Sequence, residues 1–150
     1  MPPSPSSSET IRGTRAQEDY LEQIHTLIEE KGYARVVDIA QNLGIAQASV
    51  TGMIQRMDAD GLVAYEKYRG VVLTEAGEKI ARAIVSRHES LAQFFALLGL
   101  DEGSIYDDIE GMEHHMSPPV LNAIQALTEE LQRQPALLKR VRDRMPKPGA

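Results

Sequence analysis

A pair of short amphipathic segments, separated by a link that contains glycine, constrains the fold of this chain more than any other feature. The apolar spacing predicts one helix over residues 36–43, ended by Gly44, and a second helix over residues 47–59. The side chains that the second helix is expected to bury are Val50, Ile54 and Met57. Two short helices joined in this way are typical of a helix-turn-helix.

The residues after this pair favour a β-hairpin. Residues 62–68 alternate loosely between apolar and polar side chains, Arg69 and Gly70 indicate a turn, and residues 71–73 predict a second strand. An amphipathic helix is predicted before the pair, over residues 15–31. Helix, helix-turn-helix and hairpin in this order predict a winged helix, with the hairpin as the wing.

The rest of the chain is predicted to be helical, so the expected fold class is mainly α. A long helix that Thr74 caps and Gly99 ends would extend for about 35 Å, far enough to enter a second module. The expected organisation is a disordered, Pro- and Ser-rich arm over 1–13, a winged helix-turn-helix DNA-binding domain over 14–75, a connecting helix over 76–98 and an all-α dimerisation domain over 99–145.

Composition narrows the possible classes of function. The chain has 150 residues, of which 42% are hydrophobic and 25% charged, as in an ordinary globular protein. It has no cysteine, which excludes disulfides and thiolate metal sites. It shows neither a bilayer-spanning apolar run nor a signal peptide, so a cytoplasmic protein is expected. The net charge of −6 argues against indiscriminate coating of nucleic acid but allows a local basic patch that contacts one short DNA site.

Polar side chains on the second helix of the pair, together with basic ones nearby, are the candidate DNA contacts. Gln, Ser and Thr can hydrogen-bond base edges, and Arg and Lys can reach phosphate or guanine. The candidates are Arg35, Gln47, Ser49, Thr51, Gln55, Arg56, Lys67 and Arg69. Because so few basic groups neutralise only a handful of phosphates, two copies of the chain are expected on a two-fold site. The alternative is a solvated face in a winged helix that binds protein.

An acidic segment later in the chain is a candidate metal site. Residues 101–119 hold six acids and no Lys or Arg. A helix is predicted over about residues 102–115, on which Glu110, Glu113 and His114 share one face, so two carboxylates and an imidazole would point to one place. Like charges at this density are unfavourable unless they are solvated, protonated or neutralised by a cation. A divalent metal site and a solvated acidic face are therefore the two alternatives.

Three further residues are weaker candidates when each is taken alone. His88 lies in the middle of the predicted long helix, where an isolated histidine is more often a surface residue than a ligand. Asp19 and Glu22 share a face of the first helix, a pairing that is common on solvated helices. Glu22 and His25 match half of the Glu-x-x-His pattern of di-iron bundles, but the sequence lacks a second copy and four long helices.

Six separated stretches resemble the diphtheria-toxin-repressor family of metal-dependent transcriptional repressors, and within it the manganese transport regulator branch. They are residues 18–24 (EDYLEQI), 27–36 (LIEEKGYARV), 49–51 (SVT), 65–70 (YEKYRG), 87–89 (RHE) and 110–115 (EGMEHH). The resemblance covers about residues 16–116 in the family's order, and the helical tail fits the family's dimerisation end.

The resemblance implies six metal ligands, which are Asp19, Glu22, His88, Glu110, Glu113 and His114. Four carboxylates and two imidazoles without sulfur suit Mn²⁺ and could hold two ions per subunit, although they do not exclude Fe²⁺. Relatives selective for iron commonly have a sulfur ligand at the position of Glu113 and usually carry a third, C-terminal domain. This chain has a glutamate at that position and is too short for such a domain, and both differences favour manganese.

The implied function is a manganese-activated repressor that binds a DNA operator as a homodimer and controls genes for metal-ion uptake. Neither enzyme activity, a small-molecule substrate nor a membrane partner is expected. The expected dimer surface combines Phe94, Phe95, Leu98, Leu121, Ile124, Leu127 and Leu131. The alternatives are an iron-responsive repressor of the same family, a dinuclear metal hydrolase that uses the same carboxylates, and a winged helix that binds DNA without metal.

Overall fold

The computed structural model describes residues 14–147, which are mainly α-helical, and this confirms the expected fold class. The predicted arm over 1–13 lies outside the described residues. The elements in chain order are α1 (Arg15–Lys31), α2 (Val36–Leu43), α3 (Gln47–Ala59), β1 (Val63–Glu66), β2 (Gly70–Leu73), α4 (Glu75–Leu97), the 3₁₀ helix η1 (Glu102–Ile105), α5 (Tyr106–Glu113), α6 (Pro118–Arg133) and α7 (Pro135–Arg144).

The chain forms two compact units, one through Ile84 and the other from Val85 onward, so the division falls inside α4. Between residues 14 and 147, no helix combines the length and the apolar character that crossing a bilayer requires.

The first unit is built around α1, whose two ends carry clear start and stop residues. Thr14 and Gln17 form a capping box, in which each side chain accepts a hydrogen bond from the other residue's backbone N–H at 3.2 Å. The helix ends at Gly32, which has a φ of 79°. The apolar side of α1 packs against α2, α3 and the hairpin through a core that includes Leu21, Ile24, Leu27, Ile39, Val50, Met57 and Val71.

The hairpin pairs β1 with β2 in antiparallel register, from Val63 opposite Leu73 to Glu66 opposite Gly70. Its turn therefore covers residues 67–69, whereas the sequence had indicated Arg69 and Gly70. Gly70 is drawn into β2 because it also bridges to Ala34, whose carbonyl accepts the next amide in the strand at 2.8 Å. A Cβ at Gly70 would lie 2.5 Å from that carbonyl oxygen, so this close approach requires glycine.

The start of α4 is fixed to the end of α3. The hydroxyl of Thr74 accepts a hydrogen bond from the backbone of Gly77 at 3.1 Å, as predicted for a helix cap, and donates one to the carbonyl of Gly61 at 2.6 Å. Gly77 lies so close to the loop that an added Cβ would be 2.0 Å from the carbonyl oxygen of Leu62.

The second unit is held by a smaller apolar cluster of Leu91, Ile109 and Met116, against which Phe95, Leu121 and Ile124 pack. The acidic stretch, predicted as one helix over residues 102–115, is instead η1 followed by α5. The break falls at Ile105, whose φ and ψ of −116° and 15° leave the helical region. The carboxylate of Asp101 caps η1 by accepting the backbone N–H of Ser104 at 3.1 Å, so the acidic stretch starts as a separate turn.

Candidate metal centre

The apolar cluster of the second unit packs α4 against α5. This packing also brings the polar groups on the facing sides of the two helices close together. His88 lies one turn before Leu91 on α4, and Glu113 lies one turn after Ile109 on α5. Leu91 and Ile109 are both fully buried in the same cluster. The Arg87 guanidinium also donates to the backbone carbonyl of Glu113 at 3.4 Å, which ties the end of α5 to α4.

His88 has carboxylates at both ring nitrogens. Its Nδ1 lies 2.8 Å from Oε2 of Glu113 and 3.4 Å from Oε1 of Glu110. Its Nε2 lies 3.1 Å from Oε1 of Glu102. His114 continues the group, with Nε2 3.7 Å from the second carboxylate oxygen of Glu113. Two imidazoles and three carboxylates of this unit therefore form one continuous polar cluster.

The cluster fits a cation by burial and by the number of donors. Glu113 is 0% exposed and His114 8%, so their charged forms are costly without a compensating positive charge. Nδ1 of His88 can carry only one proton, and Glu113 lies nearer to it than Glu110 does. Within residues 14–147, the buried Oε1 of Glu110 accepts no hydrogen bond. A carboxylate oxygen buried beside an imidazole, in a cluster without sulfur, is the kind of ligand that a divalent cation takes.

Asp19 and Glu22, the other two predicted ligands, belong to the first unit. They lie three residues apart on α1, and each presents a carboxylate oxygen within 4.8 Å of the other's. Both side chains are half-buried and both have interactions of their own. The pair on α1 therefore presents two carboxylates from one helix face.

The structure also contains a residue that the sequence analysis did not single out. Glu102 was counted among the acids of the segment, but its contact with His88 was not anticipated. No periodicity connects a 3₁₀ helix with a position fourteen residues earlier on another helix, so the sequence held no signal for it. His115, next to His114, is exposed.

All eight predicted DNA contacts are exposed on the first unit. The apolar side of α3 buries Val50, Ile54 and Met57, as predicted, which leaves the polar side of that helix to solvent. The basic groups have weak partners: Arg35 stacks over the ring of Tyr33 at 4.7 Å, and Arg69 lies 3.5 Å from the Glu66 carboxylate. Exposed pairs of this kind are worth little, so these side chains remain available to phosphate.

The predicted dimer residues differ in burial, and two of them, Phe94 and Leu98, are half-buried at the end of α4. Leu131 is buried inside the second unit, and Phe95, Leu121 and Ile124 pack against its apolar cluster. Leu127 is 49% exposed, and so is Val120 two turns earlier on α6. This apolar strip on α6 remains open to a partner.

Two family descriptions match the chain one after the other. Residues 14–71 match "Iron dependent repressor, N-terminal DNA binding domain", and residues 74–141 match "Iron dependent repressor, metal binding and dimerisation domain". Together they cover most of the chain.

Individual relatives agree with these descriptions. The HTH-type transcriptional regulator MntR of Geobacillus kaustophilus is 50% identical over 130 residues, covering 87% of this chain and 92% of that protein. MntR of Bacillus subtilis is 50% identical over 126 residues, covering 84% and 89%. One solved structure is described as a manganese-dependent transcriptional repressor complex with manganese, and it is 27% identical with a TM-score of 0.64. The match covers 75% of this chain and 52% of the solved chain.

The helical fold agrees with these matches, which extend over residues 14–71 and 74–141. The chain belongs to the iron-dependent repressor family, the diphtheria-toxin-repressor family of DNA-binding transcriptional regulators with a metal-binding and dimerisation domain.

Proposed function

We propose that this chain is a manganese-activated transcriptional repressor that controls genes for metal-ion uptake. The observation that carries the proposal is the cluster of His88, Glu110 and Glu113, in which two carboxylates and an imidazole converge. One of these carboxylate oxygens, Oε1 of Glu110, is buried and has no hydrogen bond among the described residues. The relatives named MntR and the manganese-bound solved repressor support manganese as the metal.

The proposed ligands are Asp19, Glu22, His88, Glu110, Glu113 and His114. Six oxygen- and nitrogen-bearing side chains, some able to bridge, suit two Mn²⁺ ions per subunit. When bound, the metal supplies the positive charge that offsets the carboxylates. Iron is the alternative that this ligand set leaves open, because Fe²⁺ also takes oxygen and nitrogen ligands.

The proposed activation depends on ligands from both units of the chain. Asp19 and Glu22 are on the first helix of the DNA-binding domain, and His88 and the acidic helix belong to the metal-binding and dimerisation domain. Without metal, these carboxylates repel one another; when they share a cation, the DNA-binding domain is held in one orientation. Because coupling between two sites is reciprocal, DNA must tighten metal binding by the same factor as metal tightens DNA binding, about 5- to 150-fold.

The proposed DNA contacts are the eight exposed side chains of the first unit: Arg35, Gln47, Ser49, Thr51, Gln55, Arg56, Lys67 and Arg69. The side chains of α3 would read base edges in the major groove, and the basic residues of the wing would hold phosphates. Two copies of the chain on a two-fold operator double this small number of contacts. As a regulator that binds chromosomal DNA, the protein is expected to act in the cytoplasm.

Dimerisation is proposed through α6 and the end of α4. Leu127 and Val120 supply the exposed part of this surface, and Phe94 and Leu98 are half-buried at the end of α4. A second copy is the partner that the family's dimerisation domain implies.

Of the alternatives, the metal hydrolase is set aside because the family consists of DNA-binding regulators and not of enzymes.

An experiment distinguishes a metal-activated repressor from a protein that binds DNA without metal. Band-shift titrations on an operator from a manganese-uptake gene, in Mn²⁺ and in EDTA, should differ by about 5- to 150-fold in affinity. Equal affinity in both conditions would leave only the constitutive DNA binder.

A matched pair of histidine variants tests the site itself. His114→Ala should abolish the difference between Mn²⁺ and EDTA, because it removes a proposed ligand. His115→Ala removes the neighbouring, exposed imidazole and should leave the difference unchanged. The same loss in both variants would contradict the ligand assignment.

A further inference from the structure

We infer that Glu102 is a positioning residue for His88, which accepts a hydrogen bond from Nε2–H so that the lone pair of Nδ1 is directed to the metal. The inference rests on the proposed metal function. It adds a residue outside the six proposed ligands and assigns the ring nitrogen that binds.

The two nitrogens of His88 have different surroundings. Nδ1 faces Glu113 at 2.8 Å and Glu110 at 3.4 Å, and both of these carboxylates are proposed ligands. Nε2 faces Glu102 at 3.1 Å, and the Glu102 side chain is 55% exposed. Glu102 therefore lies on the side of the ring away from the proposed ligands.

The chemistry of imidazole turns this asymmetry into an assignment. A neutral ring has one N–H and one lone pair, and only the nitrogen with the lone pair binds a metal. Both ring nitrogens face carboxylates, so the assignment comes from which carboxylates they are. Nδ1 faces Glu113 and Glu110, which would share a cation with it, and a nitrogen that binds a cation carries no proton. The single N–H of the ring is then on Nε2, where Glu102 is placed to accept its hydrogen bond.

Two further contacts hold this arrangement. Glu102 is on η1, which Asp101 anchors through the backbone N–H and the hydroxyl of Ser104. The ring of Tyr106 lies 5.8 Å from that of His88, tilted by 58°. The imidazole is thus contacted by Glu102 at Nε2 and by the tilted ring of Tyr106. Partners of this kind fix the tautomer and orientation of a ligating histidine, and their loss typically costs 10- to 100-fold in metal affinity.

The first measurement is Mn²⁺ affinity in the full-length protein, from the electron paramagnetic resonance signal of free Mn²⁺. Glu102→Ala should weaken binding by about 10-fold. Glu102→Gln should weaken it less, because its amide oxygen can still accept a hydrogen bond from Nε2–H. Asp107→Asn, which removes an exposed charge from the same acidic segment, is the matched control and should stay near the original affinity. Equal losses for Asp107→Asn and Glu102→Ala would mean that Glu102 contributes only charge, and would overturn the inference.

The second measurement identifies the binding nitrogen directly. In protein labelled with ¹⁵N-histidine and loaded with Cd²⁺, a diamagnetic stand-in, long-range ¹H–¹⁵N spectra should show His88 bound through Nδ1 with its proton on Nε2. In Glu102→Ala the His88 signals should broaden or divide between two forms. Binding through Nε2 in the original protein would overturn the inference.

One more variant distinguishes a failure of this inference from a failure of the proposed metal function on which it rests. His88→Ala should lose Mn²⁺ affinity by more than Glu102→Ala does. If His88→Ala binds Mn²⁺ normally, the proposed metal site is wrong. If His88→Ala is weak and Glu102→Ala is unaffected, only the role of Glu102 is wrong.

Discussion

Glu113 is fully buried, and its Oε2 lies 2.8 Å from Nδ1 of His88. Burying a carboxylate is unfavourable unless hydrogen bonds or an opposite charge compensate for lost hydration. A second imidazole is close by, since Nε2 of His114 lies 3.7 Å from the other oxygen of Glu113. Imidazoles can serve as ligands of the same cation, which is why Glu113 is among the proposed metal ligands.

The position of Glu113 should control metal preference. Glu113→Cys replaces a hard oxygen ligand with a soft thiolate, so Mn²⁺ affinity should fall by about 10-fold or more while Zn²⁺ and Fe²⁺ become the better activators. Band shifts titrated with each metal under anaerobic conditions measure this. Met112→Cys adds a thiol at the neighbouring, partly exposed position and is the control. An unaltered metal profile in Glu113→Cys would count against Glu113 as a ligand.

The sequence predicted those parts of the fold that local signals determine. The bounds of α1 and α3 follow from apolar spacing with a stop residue or a short link at the ends, and the structure has both helices over the predicted residues. The hairpin turn was predicted at residues 69–70 and lies at 67–69, because its position depends on the bridge between Gly70 and Ala34, which are distant in sequence. The break between η1 and α5 was missed for a similar reason, since Asp101 caps a separate turn there.

The candidate site was less accessible to local reasoning than the fold. Periodicity brought Glu110, Glu113 and His114 to one face but gave no reason to choose His88, which alone looks like a surface residue. The resemblance to a family selected His88, and the structure then brought its ring to the two glutamates. Neither periodicity nor the family resemblance identified Glu102, because its contact with His88 depends on how η1 packs against α4.

Gly77 should be intolerant of alanine although it lies inside a helix. Alanine normally stabilises a helix interior relative to glycine by about 0.5–1 kcal/mol. At Gly77 the added methyl would lie 2.0 Å from the backbone oxygen of Leu62, so we expect Gly77→Ala to destabilise the protein by about 1–3 kcal/mol. Urea unfolding of the metal-free protein measures the change.

Gly52 supplies the control for that prediction. It is also helical, and a Cβ there would meet nothing within 4 Å. Gly52→Ala should therefore stabilise the protein by about 0.5–1 kcal/mol. Stabilisation by Gly77→Ala as well would mean that the contact with Leu62 is looser than in this structure.

Arg69 on the wing should contribute to DNA affinity through phosphate alone. Its ion pair with Glu66, at 3.5 Å, joins two exposed side chains and is weak enough to be exchanged for a phosphate. Arg69→Ala should weaken binding to all DNA sequences alike and make the slope of log K against log salt shallower by about 0.9 per subunit. Glu66→Gln, which releases Arg69, should strengthen binding to DNA of any sequence.

Arg82 offers a matched control for Arg69. It is also exposed and paired with a glutamate, Glu78, but it is on α4 and is not a predicted DNA contact. Arg82→Ala should leave the salt dependence unchanged. A slope change in Arg82→Ala as large as that in Arg69→Ala would show that the effect reflects net charge and not a contact of the wing.

Tyr20 should make the stability of the first unit sensitive to alkaline pH. Burial raises the pKa of the Tyr20 phenol above its ordinary value of 10.0, and the nearby Arg56 guanidinium opposes this only in part. The folded protein therefore keeps a proton that the unfolded chain releases near pH 10. The contribution of Tyr20 to the free energy of unfolding is complete below pH 10 and is lost as pH rises from there through the raised pKa.

The comparison of Tyr20→Phe with the original protein isolates this contribution. Without an ionisable hydroxyl, Tyr20→Phe should lose less stability than the original protein between pH 9 and pH 11, as measured by urea unfolding at each pH. Tyr65→Phe, altered at a ring that is 69% exposed, should follow the original protein because its surroundings change little on unfolding. If Tyr20→Phe shows the same alkaline loss as the original protein, ionisation of Tyr20 is not linked to unfolding.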